Sequence, residues 1–189
     1  AKKYAAPSGV TLKLAKSEWA AGTPISFMNG ASSTIKYNDK STESIDLTGG
    51  SGYSNGNRYT VYYSSSDDNW KEYEYEKGVN LSEGEYKVAV GYNAAEEDQE
   101  LLGTAVLKVV SIDKLSAGQL SEGDNNVSVG TDEYDKAYYS FVMPFDGSVV
   151  IESDSPYCVY ESGDEGPVEV TGKLTGGSTY YVGLYNELS

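Results

Sequence analysis

Short alternation of apolar and polar residues dominates this chain, recurring about every 8–14 residues between clusters of Gly, Asn, Asp and Ser. In the stretch GEYKVAVGY (84–92), Val88 and Val90 fall on one face of a strand, because successive side chains of a strand point to opposite faces. The stretch TAVLKVV (104–110) alternates in the same way. We expect these two strands to be neighbours in one sheet, joined by the acidic loop AAEEDQE (94–100).

The same pattern predicts strands along the whole chain and no long helix. β-Branched and aromatic residues suit strands, whereas Gly and short polar residues suit the turns between them. Many short strands separated by turn residues indicate a β-sandwich or a barrel. The predicted strands lie near residues 10–14, 24–28, 33–37, 44–47, 58–64, 70–75, 84–92, 100–110, 126–129, 137–143, 147–152, 156–160, 168–173 and 179–185.

The composition changes near residues 111–118, where a polar, Gly-containing stretch follows the long strand ending at Val110. Residues 1–110 carry 11 bases and 15 acids, whereas residues 111–189 carry 3 bases and 14 acids. We therefore predict a first module at 1–110 and a second at 111–189. Because a module of about 75 residues has a small core, we expect the second to pack on the first.

The formal net charge of −15 bears on the partners of the chain. A nucleic-acid binder needs cations that displace the counterions of the phosphates, and an anionic membrane surface repels an acidic protein. No apolar run reaches the length of a membrane-spanning helix. We expect neither nucleic-acid binding nor membrane insertion.

The residue types needed for common catalytic sites are missing. The chain has no histidine, which removes Ser-His-Asp and Cys-His machinery and imidazole metal ligands. The single cysteine, Cys158, is interpreted as a small buried strand residue. Paired carboxylates can hydrolyse glycosides, but acids in loops lack the apolar pocket that raises one pKa. The sequence therefore predicts a binding protein and no enzyme.

Acidic clusters at 64–69, 95–100 and 131–135 raise the question of calcium. A calcium site needs six to eight oxygen ligands, which acidic loops can supply. None of the three clusters has the EF-hand spacing. We interpret them as solvated loops and expect no cofactor, with calcium as the alternative.

Tyrosine is the main candidate for binding chemistry, with 18 Tyr against 3 Phe and 2 Trp. A tyrosine ring can stack on an apolar surface while its hydroxyl forms a hydrogen bond. The C–H faces of sugar rings stack on such rings, and neighbouring polar side chains bond the sugar hydroxyls. Residues 51–78 are especially rich in aromatics. The predicted carbohydrate-binding residues are Arg58, Tyr62, Trp70, Lys71, Tyr73 and Tyr75.

Each aromatic candidate has a packing alternative. Trp70, flanked by acids, is either an exposed stacking platform or a plug at the edge of a sandwich. Tyr73 and Tyr75 also suit core or cross-strand packing. We expect Trp19, at a turn before the second strand, to cap the end of the sandwich.

Two stretches resemble known modules. Residues 10–110, through KLAKSEWAAGTPISF and the closing LSEGEYKVAVGYNAAEEDQELLGTAVLKVV, resemble an Ig-like module of bacterial surface proteins. Residues 112–189, through KAYYSFVMPFDGSVVIES and KLTGGSTYYVGLYN, resemble the pre-peptidase C-terminal type of jelly-roll module. As a pair they are similar to the starch-adherence proteins of gut-bacterial amylosomes. The resemblance implies an all-β protein of two antiparallel β-sandwich modules, Ig-like and jelly-roll-like, packed together.

The function expected from these observations is non-catalytic binding of starch or another α-glucan. The resemblance implies a secreted or cell-surface location in bacteria, within a larger surface protein or assembly. The alternative is a structural or adhesive Ig-like surface module whose partner is a protein, because Tyr-rich surfaces also recognise proteins.

Overall fold

A computed structural model describes residues 6–66, 69–93, 100–163 and 166–187. Strands account for nearly all of the regular structure, with one short helix, α1 (Ile112–Leu115), in the described part. Every pairing between named strands whose register is given is antiparallel. The predicted all-β class is therefore confirmed.

The strands are short apart from two in the middle of the chain. Their bounds are β1 (Pro7–Lys13), β2 (Glu18–Ala20), β3 (Pro24–Ile25), β4 (Ser32–Tyr37), β5 (Thr42–Ile45), β6 (Ser51–Ser54), β7 (Asn57–Ser64), β8 (Lys71–Glu72), β9 (Val79–Asn80), β10 (Gly84–Asn93), β11 (Glu100–Val110), β12 (Ala137–Val142), β13 (Tyr157–Gly163), β14 (Gly166–Glu169) and β15 (Thr179–Leu184).

The described residues group into two compact units. The first comprises those up to Glu18, within Ser26–Val79 and within Gly84–Lys108. The second comprises those from Val109 onward together with Trp19–Ile25 and Asn80–Glu83. The division into modules 1–110 and 111–189, with the second packed on the first, stays a prediction.

Two sheets define the first unit. One has the order β1-β4-β5, and the other has the order β2-β11-β10-β7-β6 with β8 paired to β7. Only Glu18 of β2, and β11 up to Lys108, belong to the first unit. The predicted adjacency of β10 and β11 is confirmed, while most of the acidic loop between them lies outside the described residues. Alternation places Leu107 in the interior and Val106 at the surface, as the sequence predicts. The buried residues of these sheets include Val10, Leu12, Ile35, Tyr37, Tyr59, Val61, Val88, Val90 and Leu107.

The second unit is built on a four-stranded sheet of order β12-β15-β13-β14. One face of this sheet carries a hydrophobic cluster, because alternate residues of β12 and β15 are apolar. Residues 117–120 run beside β12 and exchange backbone hydrogen bonds with it. The buried members of the cluster are Tyr139, Phe141, Met143, Leu174, Tyr180, Val182 and Leu184.

Two predicted strands are wrong, namely those at 126–129 and 147–152. Only isolated bridges form nearby, from Gly130 to Tyr185 and from Gly147 to Leu174. Both stretches contain β-branched residues that favour strands, but a strand also needs a neighbouring strand along its length. Residues 117–120 already run beside β12.

Candidate functional site

The two sides of β7 have different roles in the first unit. Tyr59 and Val61 are fully buried, so their side of the strand faces the interior. Arg58, Thr60 and Tyr62 alternate with them and therefore lie on the outer side. Arg58 is exposed and Tyr62 half-buried, whereas Thr60 between them is buried, so this outer side is accessible only at Arg58 and Tyr62.

Cross-strand pairing adds two residues to the outer side of β7. Tyr53 on β6 pairs with Arg58, and Glu72 on β8 pairs with Tyr62. Directly opposed residues of an antiparallel pair point to the same face. Tyr53 is 72 % exposed. We call Tyr53, Arg58, Tyr62 and Glu72 the β7 outer surface.

An ion pair crosses the β7 outer surface. The Nη2 atom of Arg58 lies 3.9 Å from the Oε1 atom of Glu72, and both side chains remain about half exposed. An exposed pair of this kind contributes little stability. The pair places guanidinium donors and carboxylate acceptors beside Tyr53 and Tyr62.

The β6–β7 hairpin that carries Tyr53 has a sequence-determined turn. Asn55 and Gly56 both have positive φ angles, of 52° and 78°. An Asn-Gly pair in this conformation is the favoured two-residue connection of a hairpin. The turn fixes the register that places Tyr53 opposite Arg58.

A hydrogen-bond network ties this hairpin to β4 and β5. The hydroxyls of Tyr37 and Ser54 donate to Oε2 of Glu43 at 2.8 and 2.7 Å. The side-chain amide of Asn55 donates to the Tyr37 hydroxyl at 3.0 Å. The strand end that carries Tyr53 is thereby held in place.

This network predicts an acid dependence of stability. Hydrogen bonds from Ser54 and Tyr37 hold the pKa of Glu43 below its usual value. A carboxyl with a lowered folded-state pKa contributes stability above its unfolded pKa of about 4.3, and that contribution disappears as the pH falls through the folded pKa. We expect Glu43→Gln to make the free energy of unfolding fall less steeply below about pH 4.3, as measured by urea denaturation between pH 7 and 3.

The matched control for Glu43→Gln is Glu85→Gln, which removes the same charge from an exposed position of β10. Only the Glu43 variant should flatten the acid limb of the stability profile. Equal flattening by both variants would contradict the role of the network.

The structure separates the predicted binding residues. Arg58 and Tyr62 lie together on the β7 outer surface. Tyr73 is only 3 % exposed, and its ring centroid lies 4.7 Å from that of Phe27, so it presents no face to a ligand here. Lys71 pairs with Tyr63 and is exposed on the side of the sheet opposite Tyr62.

The remaining aromatic candidates flank β8 or lie in the interior. Trp70 precedes β8 by one residue and is half-buried, and Tyr75 is exposed in the turn that follows β8. Trp19 is 1 % exposed, so it belongs to the interior and offers no stacking surface.

Two residues of the β7 outer surface, Tyr53 and Glu72, are absent from the sequence-based prediction. The stretch TGGSGYSNG (48–56) favours turns because it is rich in Gly. The signal that identifies it as a hairpin is the Asn55-Gly56 pair, followed by the alternating β7.

No family model, curated protein or solved structure matches the chain.

The second unit has a tyrosine-rich sheet face of its own, opposite its hydrophobic cluster. Tyr138 and Tyr160 are buried there with ring centroids 6.1 Å apart, and both lie against Gly183. Burial raises the pKa of Tyr138 to about 12 and also raises the pKa of the Cys158 thiol. The side chain of Thr23 forms a hydrogen bond with the Tyr138 hydroxyl. The centre of this face is therefore buried in the protein interior.

Within the described ranges, no three Asp, Glu or Cys side chains converge as metal ligands. No helix in the described part of the chain is both long and apolar enough to cross a membrane.

Proposed function

We propose that the protein binds polysaccharide without catalysis, with starch-like α-glucan as the favoured ligand and the β7 outer surface as the site. The observation that carries this proposal is the 72 % exposed ring of Tyr53 beside Arg58 and Glu72. An exposed aromatic at a defined register position contributes little to the core and is available to a ligand.

The chemistry of the β7 outer surface suits a sugar chain. Tyr53 and Tyr62 offer rings and hydroxyls, which stack on sugar C–H faces and bond to sugar hydroxyls. Arg58 supplies several N–H donors, and Glu72 supplies acceptors. Because their charges cancel locally, the surface favours a neutral, polyhydroxylated ligand over an ionic one.

The positions of the two tyrosines suit a ligand longer than one sugar. Tyr53 lies opposite Arg58, and Tyr62 lies four residues further along β7. At about 3.3 Å per residue the two positions are about 13 Å apart along the strand. Trp70 and Tyr75, which flank β8 along the chain, complete the proposed set of glycan-binding aromatics.

The proposed setting is the bacterial cell surface, within a larger surface protein or assembly. The support is the resemblance to Ig-like and pre-peptidase C-terminal modules and the acidic composition, with a net charge of −15. An acidic surface favours solubility outside the cell and disfavours nucleic acid as a partner.

Affinity electrophoresis in gels containing amylopectin, pullulan, cellulose or mucin tests the proposal. We expect retardation in an α-glucan gel, and we expect Tyr53→Ala to weaken binding of maltoheptaose by about 1–3 kcal/mol, the range known for bases stacked on aromatic side chains. Calorimetry with maltoheptaose measures the size of the loss.

The control variant is Tyr157→Ala, which removes another exposed tyrosine, from β13 of the second unit. It should leave the affinity unchanged. Equal losses in both variants, or retention of full affinity by Tyr53→Ala, would remove the β7 outer surface from the proposal.

A protein partner is the second candidate function. A run of exposed apolar residues in the second unit favours it. Four of them, Val142, Phe145, Val149 and Val150, lie within nine residues of sequence.

A further inference from the structure

Residues 148–152 (SVVIE) have the composition of a strand but do not form one. Val149, Val150 and Ile151 are β-branched and have a strong preference for sheets. Val150 is 85 % exposed. A segment with this preference usually pairs with a neighbouring strand, so its isolation requires an explanation.

The backbone of residues 148–152 is not paired with another backbone segment of the described chain. No backbone hydrogen bond joins these five residues to another described residue. The backbone N–H and C=O groups of a strand are normally paired with a neighbour. An unpaired row of them is a template for another strand.

The segment is nevertheless anchored at both ends. Gly147 exchanges two backbone hydrogen bonds with Leu174, of 3.0 and 2.6 Å. At the other end, the hydroxyl of Tyr157 donates to the carbonyl of Ile151 at 3.4 Å. Anchoring lowers the entropy lost when a partner pairs with the segment.

Charge distinguishes the kinds of strand that can pair here. Glu152 ends the segment and Asp146 and Asp154 flank it, and residues 111–189 carry 14 acids against 3 bases. Like charges placed opposite each other across strands are destabilising, whereas opposite charges stabilise the pair. Pairing with a second copy of this chain would oppose acid with acid, so the flanks favour a basic strand.

We propose that residues 148–152 accept an added β-strand from a partner protein, in which apolar residues alternate with Lys or Arg. Main-chain hydrogen bonds supply the affinity in this mode of recognition, and alternate side chains supply the specificity. Val150 contacts the apolar side chains of the added strand, and the acidic flanks contact its basic ones. This interaction surface is separate from the β7 outer surface and does not depend on glycan binding.

The probe is a fluorescein-labelled peptide of four Val-Lys repeats, added to the full chain. We expect saturable binding by fluorescence anisotropy and slower hydrogen exchange of the amides of residues 148–152. The control peptides are four Val-Glu repeats, which reverse the charge, and a Val-Lys peptide with a central proline, which cannot complete the pairing.

The test variant is Val150→Lys, which adds a like charge at the centre of the segment. We expect it to weaken binding of the Val-Lys peptide at least tenfold. The matched variant Val106→Lys adds the same charge at another exposed valine, 51 % exposed in β11. It should weaken binding no more than threefold.

Three results would overturn the proposal. The first is exchange protection outside residues 148–152, and the second is equal weakening by the two lysine variants. The third is self-association with protection of the same amides when no peptide is present, which would assign the segment to a second copy of the chain. Equal binding of the Val-Glu peptide would overturn the choice of a basic partner.

Discussion

Gly103→Ala is expected to lower the free energy of unfolding by about 3 kcal/mol, the upper end of the range for overpacked positions. Gly103 lies in β11, where a Cβ atom would overlap the carbonyl oxygen of Val10 in β1. The obstructing atom belongs to the backbone, so no rotamer change relieves the overlap. Urea denaturation of the variant and the wild type measures the loss.

Gly49→Ala is the matched control for Gly103→Ala. A Cβ atom at position 49 has no heavy atom within 4 Å, and Gly49 does not have a positive φ. The substitution should leave stability unchanged or raise it by up to about 1 kcal/mol, because alanine restricts the unfolded chain. If Gly103→Ala lowers the free energy of unfolding no more than Gly49→Ala does, that result would contradict the close approach of β1 and β11.

Trp19→Ala is expected to cost about 3–5 kcal/mol, as for other fully buried large aromatics. Trp19 is one of two tryptophans in the chain and is 1 % exposed. Its removal leaves a cavity that surrounding residues fill only in part. For a chain of this length the cost corresponds to a fall in Tm of roughly 6–20 °C, which calorimetry measures.

Trp70→Ala provides the comparison on the other tryptophan. Trp70 is half-buried, so its removal should cost only about 1 kcal/mol, near the average for single substitutions. Equal losses of free energy of unfolding in the two variants would mean that Trp70 is a core residue. Trp70 would then be excluded from the proposed glycan surface. In Trp70→Ala, the remaining fluorescence of Trp19 should resist quenching by acrylamide.

The sequence predicts those strands whose burial alternates regularly. In β11, Leu107 and Val109 are buried while Val106 is exposed, so the period of two is visible in the letters alone. The hairpin strand β6 carries no such pattern. Gly52 lies there because a Cβ atom would approach the carbonyl oxygen of Asp46 to 2.8 Å, a requirement set by a residue outside β6.

The segment 147–152 shows the opposite failure. Its β-branched residues have the local preference of a strand, but pairing depends on whether another strand lies beside it. Within the described chain none does beyond Gly147. Strand propensity therefore predicts where pairing is favourable, and tertiary structure decides where it occurs.

Only part of the candidate site could be predicted from the sequence, because tertiary structure decides which tyrosines are exposed. Tyr53 and Tyr73 look alike in sequence, each among polar neighbours. Cross-strand register exposes Tyr53, whereas packing against Phe27 buries Tyr73. Arg58 and Tyr62 could be placed on one face from their spacing in β7, but Glu72 joins them only through the pairing of β8.

An NMR titration of the isotope-labelled protein with maltoheptaose tests glycan binding at the β7 outer surface most directly. We expect saturable shifts that centre on Tyr53, Arg58, Tyr62 and Glu72, with smaller shifts at Trp70 and Tyr75. A spectrum unchanged at millimolar sugar, or saturable shifts confined to the second unit, would contradict this expectation.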